Sequence, residues 1–159
     1  MEDYNKIIES LGVKFIKARN IRILQPIRIK NFYDVENSLL ILYKGEVSFG
    51  EEETPVEEGD MLFIPGGKMI SVTYGNAEKP KAVNNEEFMT HRELYFDQNT
   101  DASLIGTQPN SFGMVAFEAK VFDSVNFFAS LDLPAFLISG NNKLANLVIK
   151  VVEESMQDL

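Results

Sequence analysis

Apolar and polar positions follow a two-residue rhythm along most of the chain and switch to a helical rhythm at its end. Val13, Phe15, Ile21, Ile23, Ile27 and Ile29 recur at mostly two-residue spacing with basic residues between them. That is the pattern of strands with one side in water. Pro26 predicts an edge position or a bend within this stretch, because it cannot donate to a ladder. Ser38 to Tyr43 is a compact apolar run and reads as a buried strand. Glu46 to Phe49 and Glu53 to Val56, joined by Gly50-Glu51-Glu52, predict a hairpin. Met61 to Ile64 is a further buried strand, stopped by Pro65-Gly66-Gly67, and Ile70, Val72 and Tyr74 alternate with Ser71 and Thr73. Short strands separated by close turn signals predict an antiparallel sandwich or small barrel.

The rest of the chain carries weaker patterns. Residues 3–11 predict a short helix with Asp3 as N-cap and Tyr4, Ile7, Ile8 and Leu11 on one face, ended by Gly12. Residues 76–85 and 97–112 are polar and turn-rich and read as surface loops, with a strand from His91 to Phe96 between them. Val115, Phe117, Ala119 and Val121 alternate as a strand. Ser124 to Leu131 predicts a helical turn, and Phe136 to Ile138 a last extended piece. From Lys143 onward, Leu144, Leu147, Val148, Val151 and Val152 form one apolar stripe of a helix. The expected organisation is one β unit over residues 1–140, opened by the short helix, and a C-terminal helix over 141–159.

Composition narrows the chemistry. The chain has 159 residues, 45% of them apolar and 25% charged, a globular balance that excludes a disordered or collagen-like polymer. Its net charge of −9 opposes binding to a phosphate backbone. Without cysteine there is no disulfide, no thiolate metal ligand and no thiol nucleophile. His91 is the single histidine, which rules out a multi-histidine metal site. It is read as a surface or locally satisfied residue in preference to a general base. The longest apolar run, Leu39 to Tyr43, is too short to span a membrane, and the opening Met-Glu-Asp-Tyr-Asn-Lys has no secretory character. A cytoplasmic location without membrane association is the expectation.

The segment Leu39-Leu-Ile-Leu-Tyr-Lys-Gly-Glu-Val-Ser-Phe-Gly-Glu, followed by Gly59-Asp-Met-Leu-Phe-Ile-Pro-Gly-Gly, resembles the core of a cupin barrel. Gly59, Pro65 and Gly67 match the G-x5-P-x-G spacing of the second cupin motif. After it come Phe112-Gly-Met-Val-Ala-Phe-Glu-Ala-Lys-Val-Phe, then Phe127-Phe-Ala-Ser-Leu-Asp-Leu-Pro, then the helix ending Val151-Val-Glu-Glu. This order, over roughly residues 20–158, is similar to the N-terminal sensor domain of AraC-family transcription regulators.

The resemblance implies a mainly β fold, a cupin-like double-stranded β-helix (jelly-roll barrel) followed by a C-terminal α-helix. It implies an unidentified small-molecule effector in the barrel and a homodimer through Leu144, Leu147, Val148, Val151 and Val152. Packing of that stripe on the chain's own barrel is the alternative, and the two are compatible. Such regulators bind DNA through a helix-turn-helix domain, and no such segment lies in this sequence. A truncated sensor domain is therefore expected over a stand-alone one.

Metal-binding cupins carry H-x-H-x(3,4)-E and a later histidine. Counted from Gly45, the glutamate falls at Ser38 and the two histidines near Phe32 and Asp34. Counted from Gly67, the last histidine falls at Ile70. Asp34 alone cannot hold a divalent ion, so no metal and no other cofactor is expected. These four positions face inward in a cupin, and alternation adds Leu40, Leu42, Val72 and Tyr74 as pocket or plain core. The rival to a non-enzymatic sensor is a metal-free cupin enzyme of the sugar isomerase or epimerase type, or a binding protein. The enzyme would need an acid–base pair, and Asp34 with Tyr74 is the candidate. The acidic run Glu51-Glu52-Glu53 with Glu57-Glu58 reads as a solvated hairpin rim. Lys14, Lys17, Arg19, Arg22, Arg28 and Lys30 read as a solvated edge in preference to an acidic-ligand site.

Overall fold

The computed structural model describes residues 10–76, 78–99, 101–122 and 125–157. The helix expected over 3–11 lies outside them apart from its last residues, and Leu11 there opens a strand. The fold is mainly β, with two sheets and a C-terminal helix.

In chain order the strands are β1 (Leu11–Ile23), β2 (Ile27–Phe32), β3 (Asn37–Lys44), β4 (Val47–Phe49), β5 (Thr54–Val56), β6 (Met61–Ile64), β7 (Ile70–Tyr74) and β8 (Lys81–Val83). They continue as β9 (Phe96–Asn99), β10 (Ser111–Val121), β11 (Val125–Asn126) and β12 (Phe136–Ile138). The helices are α1 (Asn85–Thr90), α2 (Arg92–Tyr95), α3 (Phe127–Ser130) and α4 (Asn142–Gln157), with a 3-10 turn at Ala102–Leu104. The large sheet runs β12-β6-β3-β10-β1-β9, with β11 beside β10, and the small sheet runs β5-β4-β7-β2-β8. The chain crosses between sheets repeatedly: β1 to β2 through the Leu24–Pro26 bend, β3 to β4 at Gly45, β5 to β6 at Gly59.

The glycine and proline punctuation does its expected work. Gly59 and Gly67 both have φ above +80° or at it (88° and 80°), a conformation glycine adopts without cost. Gly66 lies so close to the Val35 carbonyl that a Cβ there would collide with backbone. Its N–H donates to Asn37 Oδ1 at 2.9 Å, which locks the turn out of β6 onto the start of β3.

Three layers result. Ile27, Ile29, Val72 and Tyr74 of the small sheet meet Leu40, Leu42, Leu62 and Phe112 of the large sheet in the main core. On the other face of the large sheet, α4 packs Ala145 and Val148 on Ile41 and Met61, and Val152 and Met156 on Ala18. Beside α4 on that outer side, Phe63 contacts Phe117, Phe128 and Phe136, with α3 supplying Phe128. Asn141 starts α4 by accepting from the Leu144 N–H at 3.0 Å.

Three local expectations are corrected. His91 to Phe96 is not one strand: α2 occupies Arg92–Tyr95 and β9 begins at Phe96. Residues 81–83, within an expected loop, form β8, which pairs in parallel with β2 through Ile27–Ile29. The 97–112 stretch holds most of β9, a 3-10 turn and the start of β10. Just before α2, Asn84 Oδ1 starts α1 by accepting from the Glu87 N–H at 2.7 Å, and Phe88 of α1 and Tyr95 of α2 bury against the core.

Candidate functional site

A cavity of about 80 Å³ lies between the sheets, on the side where α1 and α2 pack. β1 contributes Lys17, Arg19 and Ile21; β10 contributes Phe112 and Met114; β3 contributes Ser38 and Leu40. Phe32 and Asp34 come from the β2–β3 corner, Ile64 from β6, Tyr74 from β7, Phe88 and Arg92 from the two helices, and Phe96 and Gln98 from β9.

Two bulges aim these residues. The β1–β10 register shifts between Phe15 and Lys17. Beyond the shift, Arg19 is opposite Met114 and Ile21 opposite Phe112, so all four share the inner face. Without the extra residue, Lys17 and Arg19 would turn to the α4 side, since a one-residue slip exchanges the faces of a strand. The β2–β7 register shifts likewise between Ile29 and Phe32, and Phe32 then sits opposite Ile70.

One wall is aromatic. Tyr74 stacks on Phe112 at 5.3 Å between ring centroids, and Phe96 meets Tyr74, Phe88 and Phe112 edge to face at 4.9, 5.1 and 5.5 Å. Such pairs hold a fixed geometry and present ring faces and edges to a ligand. Burial raises the Tyr74 hydroxyl above the ordinary phenol range, opposed in part by the Arg92 guanidinium nearby. Arg92 itself lies over the Phe88 ring, 5.6 Å from its centroid.

The polar groups are unevenly partnered. Asp34 accepts from the Glu36 N–H through its carboxylate at 3.2 Å, and from the Gly67 N–H through its carbonyl at 2.8 Å. Arg19 donates to the Ala18 carbonyl at 2.8 Å. Among the described residues, Lys17, Arg19 and Arg92 form no ion pair, whereas Arg22 pairs with Asp97 and Arg28 with Glu53. The early basic residues thus divide. Lys14 is exposed, Arg22 and Arg28 are paired at the surface, and Lys17 and Arg19 line the cavity. The solvated-edge expectation is corrected for the last two, which are half-buried and line the cavity even though β9 pairs β1 only over Asn20–Ile23.

Of the eight residues expected to form a pocket, Phe32, Asp34, Ser38, Leu40 and Tyr74 line the cavity. Leu42 and Val72 are on the same inner side but wholly buried in the main core, and Ile70 packs at its margin. Phe88 falls between the expected loop and the expected strand, and Arg92 and Phe96 fall within that strand; the Asn84-x-x-Glu87 helix start is the local signal that places α1 and Phe88. His91 is exposed between α1 and α2, with its N–H donating to the Glu87 carbonyl at 3.1 Å. Among the described residues, no three His, Cys, Asp or Glu side chains converge as a metal-ligand group. No helix of these residues is long and apolar enough to cross a membrane.

The C-terminal stripe is mostly turned inward. Val148 and Val152 are buried on the large sheet, Leu144 and Val151 are half-buried there, and Leu147 remains 59% exposed. Compared with known proteins, the chain matches no family model, no curated protein and no solved structure.

Proposed function

We propose that this chain is a ligand-sensing and dimerisation domain of the AraC type, cupin-like in fold, non-enzymatic, metal-free and cytoplasmic. Its effector would sit in the inter-sheet cavity and act on a separate DNA-binding unit. The observation that carries the reading is the convergence of Phe32, Asp34 and Ser38 on that cavity, three of the four positions counted from the cupin spacing. The assignment to regulators rests on the order of segments along the sequence and on a helix following the β unit. Those positions offer a divalent ion one carboxylate, fewer ligands than it requires. Ligand binding would favour one arrangement of the cavity walls over another and so shift the population of regulatory states.

The metal-free enzyme is the second reading, because Asp34 and Tyr74 both line the same cavity. A general acid works best with a pKa near the operating pH. Burial moves Tyr74 the opposite way, which favours binding over proton transfer.

Sedimentation of the chain, with and without Leu147→Glu, tests the dimeric half of the proposal. The expected result is a dimer whose dissociation constant rises about tenfold or more in the variant. A monomer at all concentrations contradicts it. Thermal-shift screening against small metabolites tests the sensing half, and a ligand-induced rise that Ser38→Leu abolishes is the expected outcome.

A further inference from the structure

We propose that the cavity takes a small organic anion, a carboxylate on a short apolar body, held by Lys17, Arg19 and Arg92. This names the ligand class of the site described above and rests on the reading of that cavity as a binding site. The chain carries a net charge of −9, yet three cations and one carboxylate, Asp34, line this cavity. Among the described residues none of the three cations has a carboxylate partner, while the other arginines recorded in ion pairs meet theirs at the surface.

Lys17 and Arg19 stand two residues apart on the inner face of β1, each half-buried. Holding cations there without a counter-charge is unfavourable, and a bound anion removes that cost. Arg92 lines the same cavity from α2, the helix that leads into β9, and is close enough to Tyr74 to favour its ionised form. An anion in this cavity would therefore be met by groups on two separate elements, β1 and α2.

Size and wall chemistry select the rest of the ligand. The cavity volume of about 80 Å³ suits a small ligand, and Phe112, Phe96 and Met114 form an apolar floor. An inorganic phosphate dianion would turn oxygens toward that floor without donors for them. A carboxylate needs donors at one end only and offers the rings an aliphatic chain.

The test is titration of the full chain with butyrate, butyramide and inorganic phosphate, read by the methyl resonances of Ile21, Leu40, Ile64 and Met114. The proposal expects butyrate to shift these resonances and to bind at least tenfold more tightly than butyramide or phosphate. It expects Arg19→Met to erase the preference over butyramide while the thermal midpoint is retained. If that variant fails to fold, Arg92→Met, on an exposed helical position, makes the same comparison. Butyramide binding as tightly as butyrate at those methyls overturns the anion assignment and leaves the cavity as a binding site. Phosphate binding more tightly than butyrate overturns the carboxylate assignment. If none of the three probes moves those methyls, the anion proposal is overturned. If the metabolite screen also finds no ligand that depends on Ser38, the sensor reading falls with it.

Discussion

β1, β3 and β10 present two different faces, and the two are built for different ends. Toward α4, the contacts are between small and branched aliphatic groups: Ala18, Ile41, Ala145, Val148 and Val152. Toward the small sheet, the same strands carry Lys17, Arg19, Ser38 and Met114 around a cavity. The outer face can close completely because each group on it gains by leaving water. The inner face at this end cannot close, since packing it shut would bury cations without partners. Close packing therefore lies on one face and the cavity on the other, within the thickness of a single sheet.

Substitutions on the two faces should separate accordingly. The largest effect is expected from Val152→Asp, which places a carboxylate at a position with no exposed surface between α4 and the sheet. A loss of at least about 3 kcal/mol in denaturant unfolding is expected, with the chain unfolded in part at ambient temperature. Gly113→Ala is next. A Cβ at Gly113 would run into the Tyr43 hydroxyl and meet Ile41 Cγ2 at 3.1 Å, so overpacking should cost about 1–3 kcal/mol.

Tyr43→Phe has the opposite sign. The Tyr43 hydroxyl is buried with no hydrogen-bond partner among the described residues, so its removal should stabilise the chain by about 1 kcal/mol. It also weakens the alkaline pH response. Burial, with the nearby Glu153 carboxylate adding to it, raises the Tyr43 pKa in the folded state, as burial does for Tyr74. Below pH about 10 both states hold these protons; above it the unfolded chain releases them first, so stability falls as pH rises. Tyr43→Phe should make that alkaline loss shallower, measured as unfolding free energy between pH 9 and about 11. The smallest change in stability is expected from Arg19→Met on the inner face. Its unfolding free energy should remain within about 0.5 kcal/mol of the parent chain, while anion binding is lost.

The sequence made the strands legible where alternation and turns agree. The β4–β5 hairpin, β6, β7, β12 and the stripe of α4 all lie where the patterns placed them. Alternation, counted from the inward positions that the cupin resemblance implies, also assigned Leu40, Leu42, Val72 and Tyr74 to the inner side, and all four lie in the inter-sheet core. It could not say how far along each strand the core ends and the cavity begins, which is why Leu42 and Val72 proved to be core. Lys17 and Arg19 were misread for a different reason. A bulge at Phe15/Lys17 resets the face of β1, and a bulge leaves little trace in a polar–apolar pattern. The helical wall was missed because α1 and α2 are too short to show a period, and Asn84 with Glu87 was their one local mark.

The central claim is that the inner face of the large sheet, at Lys17 and Arg19, is where this protein binds its ligand. Crystals of the full chain soaked in 2-bromobutyrate test it most directly, because bromine can be located by its anomalous signal. The account predicts a bromine peak between Phe112, Phe96 and Met114, with the carboxylate directed toward Arg19 and Arg92. Bromine located only outside this cavity, or a cavity unaltered at saturating concentration, would contradict it.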